Sequence, residues 1–276
     1  MISGTTRLVA HIGYPTDTFK APLIYNPWFE SRGIDAIVVP MGCTADDYPV
    51  FLPALFRLTN IRGALVTMPH KVSTVALLDV RNEAVDVAGS CNAVRRDADG
   101  RLRGDMFDGT GFTRGALRKG IALRGATCLV VGAGGVGSAI AASLAAEHAA
   151  SIAICDVEAE AAERLVARLR RVYPAVRAEV RGNDPAGYDI VVNATPLGMR
   201  DDDPLPFDAQ RLASRAFVGE VVMKEAMTPL LRAAAARGCR FQVGTDMLFE
   251  MIPAYLEFFG LGTATADELR AVARIV

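Results

Sequence analysis

The stretch that most limits the fold is "CLVVGAGGVG", residues 128–137, an apolar run that breaks into glycines and continues as "SAIAASLAAEHA". Apolar residues, a G-x-G-x-x-G cluster and then small helix formers read as strand, tight turn and helix N-terminus, the context of a dinucleotide-binding turn. Gly132 permits the turn, Gly134 lets the backbone approach a pyrophosphate, and Gly137 allows close helix–strand packing. Gly135 and Val136 complete the turn, where free N–H groups and the positive end of the helix dipole favour phosphate. A βα unit of this kind belongs in a parallel sheet covered by helices.

The rest of the chain supplies such sheets. The apolar runs "TRLVAHIG", "DAIVVPMG" and "IRGALVTMP" alternate with the helix-like "APLIYNPWFESRG" and "DYPVFLPALFRLTN", a βαβ rhythm. Around "DADG" the rhythm becomes hairpin-like. A second series follows through "ATCLVVGAGGVG", "ASIAICD", "RAEVRG", "YDIVVNATP", "AFVGEVV" and "CRFQVG", before a helical end. At 276 residues the chain is long for one core, so two α/β domains are expected. They divide into residues 1–107 and a Rossmann domain over 108–244, entered by a helix starting near Asp108.

Composition removes several classes of function. Lys+Arg number 30 against Asp+Glu 31, which leaves no basic excess for nucleic acid or an anionic membrane. Cys43, Cys91, Cys128, Cys155 and Cys239 are scattered without CxxC spacing, and His11, His70 and His148 are dispersed. Reduced thiols and no metal site are expected. The first residues lack the features of a signal peptide, so a cytoplasmic protein is expected.

The strand "SIAIC" ends at Asp156, 24 residues beyond Gly132. A carboxylate there accepts ribose hydroxyls and repels a 2′-phosphate, and "CDVEAE" contains no arginine, so NAD is expected over NADP. The same aspartate could equally cap the next helix. In "VTMPHK", Lys71 follows an apolar strand. Such a lysine is usually solvated, but Asp108, in "GDMFDGTGF", lies where the two domains meet in sequence. A lysine–carboxylate pair facing a nicotinamide would serve as a proton-transfer unit.

Five blocks, "GYPTDTFKAPLIYN", "VTMPHK", "GSCNAV", "GDMFDGTGF" and "NATPLGM", stand in order with the glycine turn among them. On these the chain resembles the shikimate/quinate dehydrogenase family along nearly its whole length. The resemblance implies a parallel-sheet substrate domain, a Rossmann domain, and a C-terminal segment (245–276) returning to the first. It implies hydride transfer between a ring carbon and the nicotinamide, with Lys71 and Asp108 as the catalytic pair and Lys71 handling the hydroxyl proton. Thr67 and Asn92 would hold substrate hydroxyls, and Asn193 and Thr195 would serve the cofactor. Without the resemblance, Thr67 reads equally as strand filler and Asn92 as a turn residue.

The chain also departs from that pattern. Aligned on Pro22 and Asn26, the two serines that bind the substrate carboxylate in the family are Phe19 and Ala21 here. Leu65, Met223 and Met251 replace an asparagine, a tyrosine and a glutamine. Thr18 or Lys20 could supply a new anion partner, Lys20 the better. An unpaired carboxylate in a dry pocket costs several kcal/mol, so the expected substrate is a small cyclic or polyhydroxylated alcohol other than shikimate. The alternatives are a shikimate or quinate dehydrogenase with altered carboxylate recognition, and a non-catalytic NAD sensor. A monomer or homodimer is expected.

Overall fold

Strands and helices alternate on both sides of Asp108. The computed structural model describes residues 2–275, which form two compact units. One holds the residues up to Phe107 together with those from Ile252; the other is Asp108–Met251.

In the first unit, β1 (Arg7–Gly13), α1 (Pro22–Ser31), β2 (Ala36–Gly42), α2 (Tyr48–Leu55) and β3 (Ile61–Val66) give a parallel ribbon ordered β2-β1-β3. Val9, Ala10, Ile12, Val38, Ala64, Leu65 and Val66 are buried, as strands covered on both faces require. After β3 come β4 (Val80–Arg81), α3 (Glu83–Ala88), β5 (Ala93–Arg96) and β6 (Leu102–Asp105). Asn82 caps α3 by accepting from the Val85 N–H at 3.0 Å, and Gly89 closes it at φ +64°.

The sheet read as parallel carries one reversed strand: β5 runs antiparallel to both β3 and β6. Its link to β6, "DADG" with Gly100 at φ +88°, is too short for a crossover helix. The reversal brings Asn92 beside the end of β3.

The second unit opens with α4 (Asp108–Arg118). Its sheet is built from β7 (Thr127–Val131), α5 (Gly135–Ala146), β8 (Ser151–Cys155), α6 (Ala159–Val172), β9 (Arg177–Val180), β10 (Ile190–Asn193), β11 (Phe217–Glu220), α7 (Pro229–Ala236) and β12 (Arg240–Gln242). The order is β12-β11-β10-β7-β8-β9, all parallel. The order reverses between β7 and β10, and ligands bind such sheets at the strand C-termini beside that switch. Leu129, Val131, Val191, Val218, Leu230 and Leu231 pack one side of the core.

Three glycines of α4 fit it among its neighbours. A Cβ at Gly109 would lie 2.0 Å from the Ala139 carbonyl of α5, and one at Gly115 would lie 2.6 Å from the Gln242 amide oxygen. At Gly111 it would meet the Met247 carbonyl at 2.5 Å, in helix α8 (Gly244–Phe259). The first turns of α8 are therefore held within the second unit, and the change of unit falls inside this helix after Met251 rather than ahead of it. Helix α9 (Ala266–Val272) starts on a Thr265/Glu268 capping box, and the Arg274 N–H beyond it donates to the Leu23 carbonyl of α1 at 2.8 Å. Among the described residues no helix is long and apolar enough to cross a membrane.

Candidate active site

Parallel strands β1 and β3 end side by side, and backbone hydrogen bonds carry the pairing past the strands. The Thr67 N–H donates to the Ile12 carbonyl at 2.9 Å and the Tyr14 N–H to the Met68 carbonyl at 3.1 Å. The His70 N–H then turns back on the Thr67 carbonyl at 3.0 Å, and the Cys91 N–H donates to the Lys71 carbonyl at 2.8 Å. Lys71, half-buried, is thus mounted on a loop tied to the sheet at both ends. His70 belongs to the core: fully buried, it stacks on Tyr48 at 4.0 Å, and its Nε2 bonds the Cys43 carbonyl at 2.8 Å.

Asn92 joins three segments. Its N–H donates to the Asp105 carbonyl, its carbonyl accepts from the Val66 N–H, and its side-chain oxygen accepts from the Phe107 N–H at 2.9 Å. The side-chain oxygen of Asn92 is thereby engaged by the backbone that leads into α4.

The departures from the family pattern line the same strand ends. The Phe19 ring stacks on His11 with centroids 4.0 Å apart. A Cβ on Gly13 would lie 2.9 Å from the tip of that ring and 2.5 Å from the Thr67 methyl. His11, Gly13, Phe19 and Thr67 therefore form one continuous wall, with Leu65 buried opposite His11 in the sheet register. Ala21 stands at the N-cap of α1 with no side-chain hydrogen bond to offer. Burial, and then the charge of Lys71, lower the His11 pKa to about 4, so its imidazole is neutral at physiological pH.

In the second unit the glycine turn separates two kinds of requirement. Gly132, at φ +109°, has no room for a Cβ, which would meet the Ala194 carbonyl at 2.6 Å. At Gly137 a Cβ would sit 1.9 Å from the Gly132 carbonyl, whereas at Gly134 it would meet nothing within 4 Å. Packing thus demands the first and last glycines. The middle one keeps open the approach to the first turn of α5, where Gly135 and Val136 lie. That turn has no side-chain cap and no acidic residue, which suits a pyrophosphate.

Asp156 accepts from the Ala133 N–H at 2.6 Å and the Glu158 N–H at 2.9 Å. It does not cap α6, whose N-cap is Glu158. An ionised carboxylate has about four acceptor sites, so capacity remains for ribose hydroxyls.

Asn193 is fully buried, and its side chain is consumed in shaping the turn after β10. It donates to the Leu197 carbonyl and to Glu220 Oε1, each at 3.0 Å, and accepts from the Thr195 hydroxyl at 2.7 Å. The Thr195 hydroxyl also accepts from the Leu197 N–H at 3.1 Å. Glu220, which the sequence reading passed over, anchors this arrangement. It has no exposed surface, and burial pushes its pKa up. Besides Asn193 it accepts from the Val221 and Val222 N–H groups and the Thr228 hydroxyl. Its one visible trace is an acid at the end of an apolar strand, "AFVGE". Met223 and Met251 pack against the Cα positions of Gly244 and Gly111. Asp108 opens α4 and is only 3% exposed.

Residues 11–94 match the family described as shikimate dehydrogenase substrate binding domain. A shikimate dehydrogenase (NADP(+)) of Acidiphilium cryptum is 34% identical over 275 residues, covering 99% of this chain and 98% of the relative. Among solved structures, shikimate 5-dehydrogenase of Listeria monocytogenes, in complex with shikimate and NAD, superposes with a TM-score of 0.91 at 26% identity, covering 98% of this chain and 97% of that one. The ligand-free 5-ketofructose reductase of Gluconobacter sp. strain CHM43 superposes at 0.88 with 25% identity, covering 98% and 99%.

Proposed function

The chain belongs to the shikimate/quinate dehydrogenase family, NAD(P)-dependent oxidoreductases acting on CH–OH groups, and from this we propose that it interconverts a neutral polyhydroxylated alcohol and its ketone, with NAD as cofactor. The observation that carries the proposal is the Phe19 ring, closed on His11 and Gly13 where the family pattern offers a hydroxyl. A carboxylate pressed to that wall would lose its water without gaining a donor, at a cost of several kcal/mol, or at least about a hundredfold in affinity. The 5-ketofructose reductase, named for a substrate without a carboxylate, supports the reading.

When bound, NAD would supply the hydride acceptor for oxidation and, in its reduced form, the hydride donor for reduction. Lys71 accepts the hydroxyl proton at Nζ during oxidation and gives it back on reduction, and Asp108 is the second catalytic residue that the family pattern assigns. The Thr67 hydroxyl and the Asn92 amide bind neighbouring oxygens of the substrate. The backbone around Gly134 would receive the pyrophosphate, and Asp156 would accept from the ribose. The Acidiphilium relative is named for NADP(+). In this chain the carboxylates of Asp156 and Glu158, with no arginine from 156 to 160, disfavour a 2′-phosphate.

The test is a steady-state comparison of 5-ketofructose reduction with shikimate and quinate oxidation, each with both nicotinamide cofactors. Expected are turnover of the neutral sugar, preference for NADH over NADPH, and loss of turnover in Lys71→Ala with NAD binding kept. A second reading, shikimate dehydrogenase with altered carboxylate recognition, is favoured by the relatives' names. Efficient oxidation of micromolar shikimate would establish it and overturn the first.

A further inference from the structure

We propose that His11 is a substrate-recognition residue of this site, presenting its imidazole to a hydroxyl or carbonyl oxygen of a neutral substrate. The inference deepens the reading above and rests on it.

A polar ring inside an apolar strand costs free energy unless its nitrogens are satisfied. His11 sits in β1 between buried Ala10 and Ile12, and its Nδ1 is buried without a hydrogen-bond partner. Nor does its Nε2 bond to a described residue. His70 provides the contrast. It too stacks on an aromatic ring, but its Nε2 is held by the Cys43 carbonyl and it has no exposed surface. His11 keeps some exposure and stands on the wall shared with Phe19 and Thr67, near enough to Lys71 to feel its charge.

The stack on Phe19 fixes the plane of the ring and therefore the direction of its nitrogens. A neutral imidazole donates through one nitrogen and accepts through the other. With Nδ1 buried, the nitrogen left for a ligand is Nε2, which donates or accepts according to the tautomer, and a hydroxyl answers either. A carboxylate offers acceptors and a full charge, which a neutral ring answers with one donor. Where the family pattern spends two serines on an anion, this chain sets an aromatic ring against a single adaptable imidazole.

His11→Phe keeps a flat ring for the stack and removes both nitrogens; His11→Gln restores a donor and an acceptor without the ring. With 5-ketofructose and NADH as probes, His11→Phe should raise KM about tenfold or more, worth about 1.4 kcal/mol. Its kcat should stay within about twofold and its NADH affinity should not change. His11→Gln should recover part of the lost affinity. Unchanged KM in a folded His11→Phe protein, with the wild type active on the sugar, overturns this inference and leaves the substrate reading standing. A wild type active on shikimate and not on the sugar removes both. If His11→Phe does not fold, His11→Leu carries the test: a KM raised about tenfold with kcat kept supports the role, and an unchanged KM overturns it.

Discussion

A phenyl ring in place of a hydroxyl removes a donor and also covers its neighbours. Phe19 does both, by lying on His11 and closing the space over Gly13. Restoring the family's chemistry with Phe19→Ser and Ala21→Ser together should lower the KM for shikimate by at least about tenfold, read by NADH absorbance, since a carboxylate would regain two hydroxyl donors. His11 also carries a signature in stability. Its folded pKa of about 4 lies below its ordinary 6.5, so between those values the unfolded chain binds a proton that the folded chain refuses. Stability is therefore lost as pH falls from 6.5 to 4, by about 3 kcal/mol for this group. Asp105 and Glu220, with pKa values raised by burial, act in the opposite sense. Urea titrations of wild type against His11→Phe at pH 7 and pH 4.5 isolate the histidine, and equal acid losses in both would refute its assignment. Phe19 and Ala21 were legible by counting back from Pro22. His11 was not, because one histidine in an apolar strand reads as core until the ring across from it is known.

The glycine turn was legible as an element from spacing and context, down to the helix that follows it. The division of labour within it was not, since it depends on which carbonyls stand nearby. Gly134→Ala should leave the thermal midpoint within about 2 °C of wild type while weakening NAD binding at least about tenfold, because the new methyl enters only the space a phosphate would use. Gly137→Ala should destabilise by about 2–3 kcal/mol, because its methyl would collide with the Gly132 carbonyl. Calorimetry and NAD titration of both variants check this; similar losses of stability would show Gly134 to be a packing residue as well. The parallel strands are legible in their apolar runs, and the sequence leaves the direction of β5 within the sheet open. Its hairpin was visible in "DADG", but the sheet it joins depends on the pairing of Ala64 with Val94, a contact between residues thirty apart. Glu220 escaped for a similar reason, since its partners come from three separate turns.

For the whole molecule, the presence of two α/β halves followed from length and from the repeated strand rhythm. Their border in α8 did not, because a continuous helix carries no break in its sequence pattern. All of the residues assigned to the cofactor lie in the second unit, so ligand linkage should act there. NAD at one hundred times its Kd should stabilise that unit by about 2.7 kcal/mol, with a smaller thermal shift from NADP at equal concentration. A larger shift with NADP would refute the role given to Asp156. The first unit is assembled differently: Arg62 and Arg95 bond the carbonyls of Phe259 and Phe258, and Arg274 reaches Leu23. On the ribosome, where domains generally fold as they emerge, the opening half cannot be completed when its own strands appear. It has to wait, partly built, while an entire second domain is translated, and it is finished only by chain that emerges after Met251.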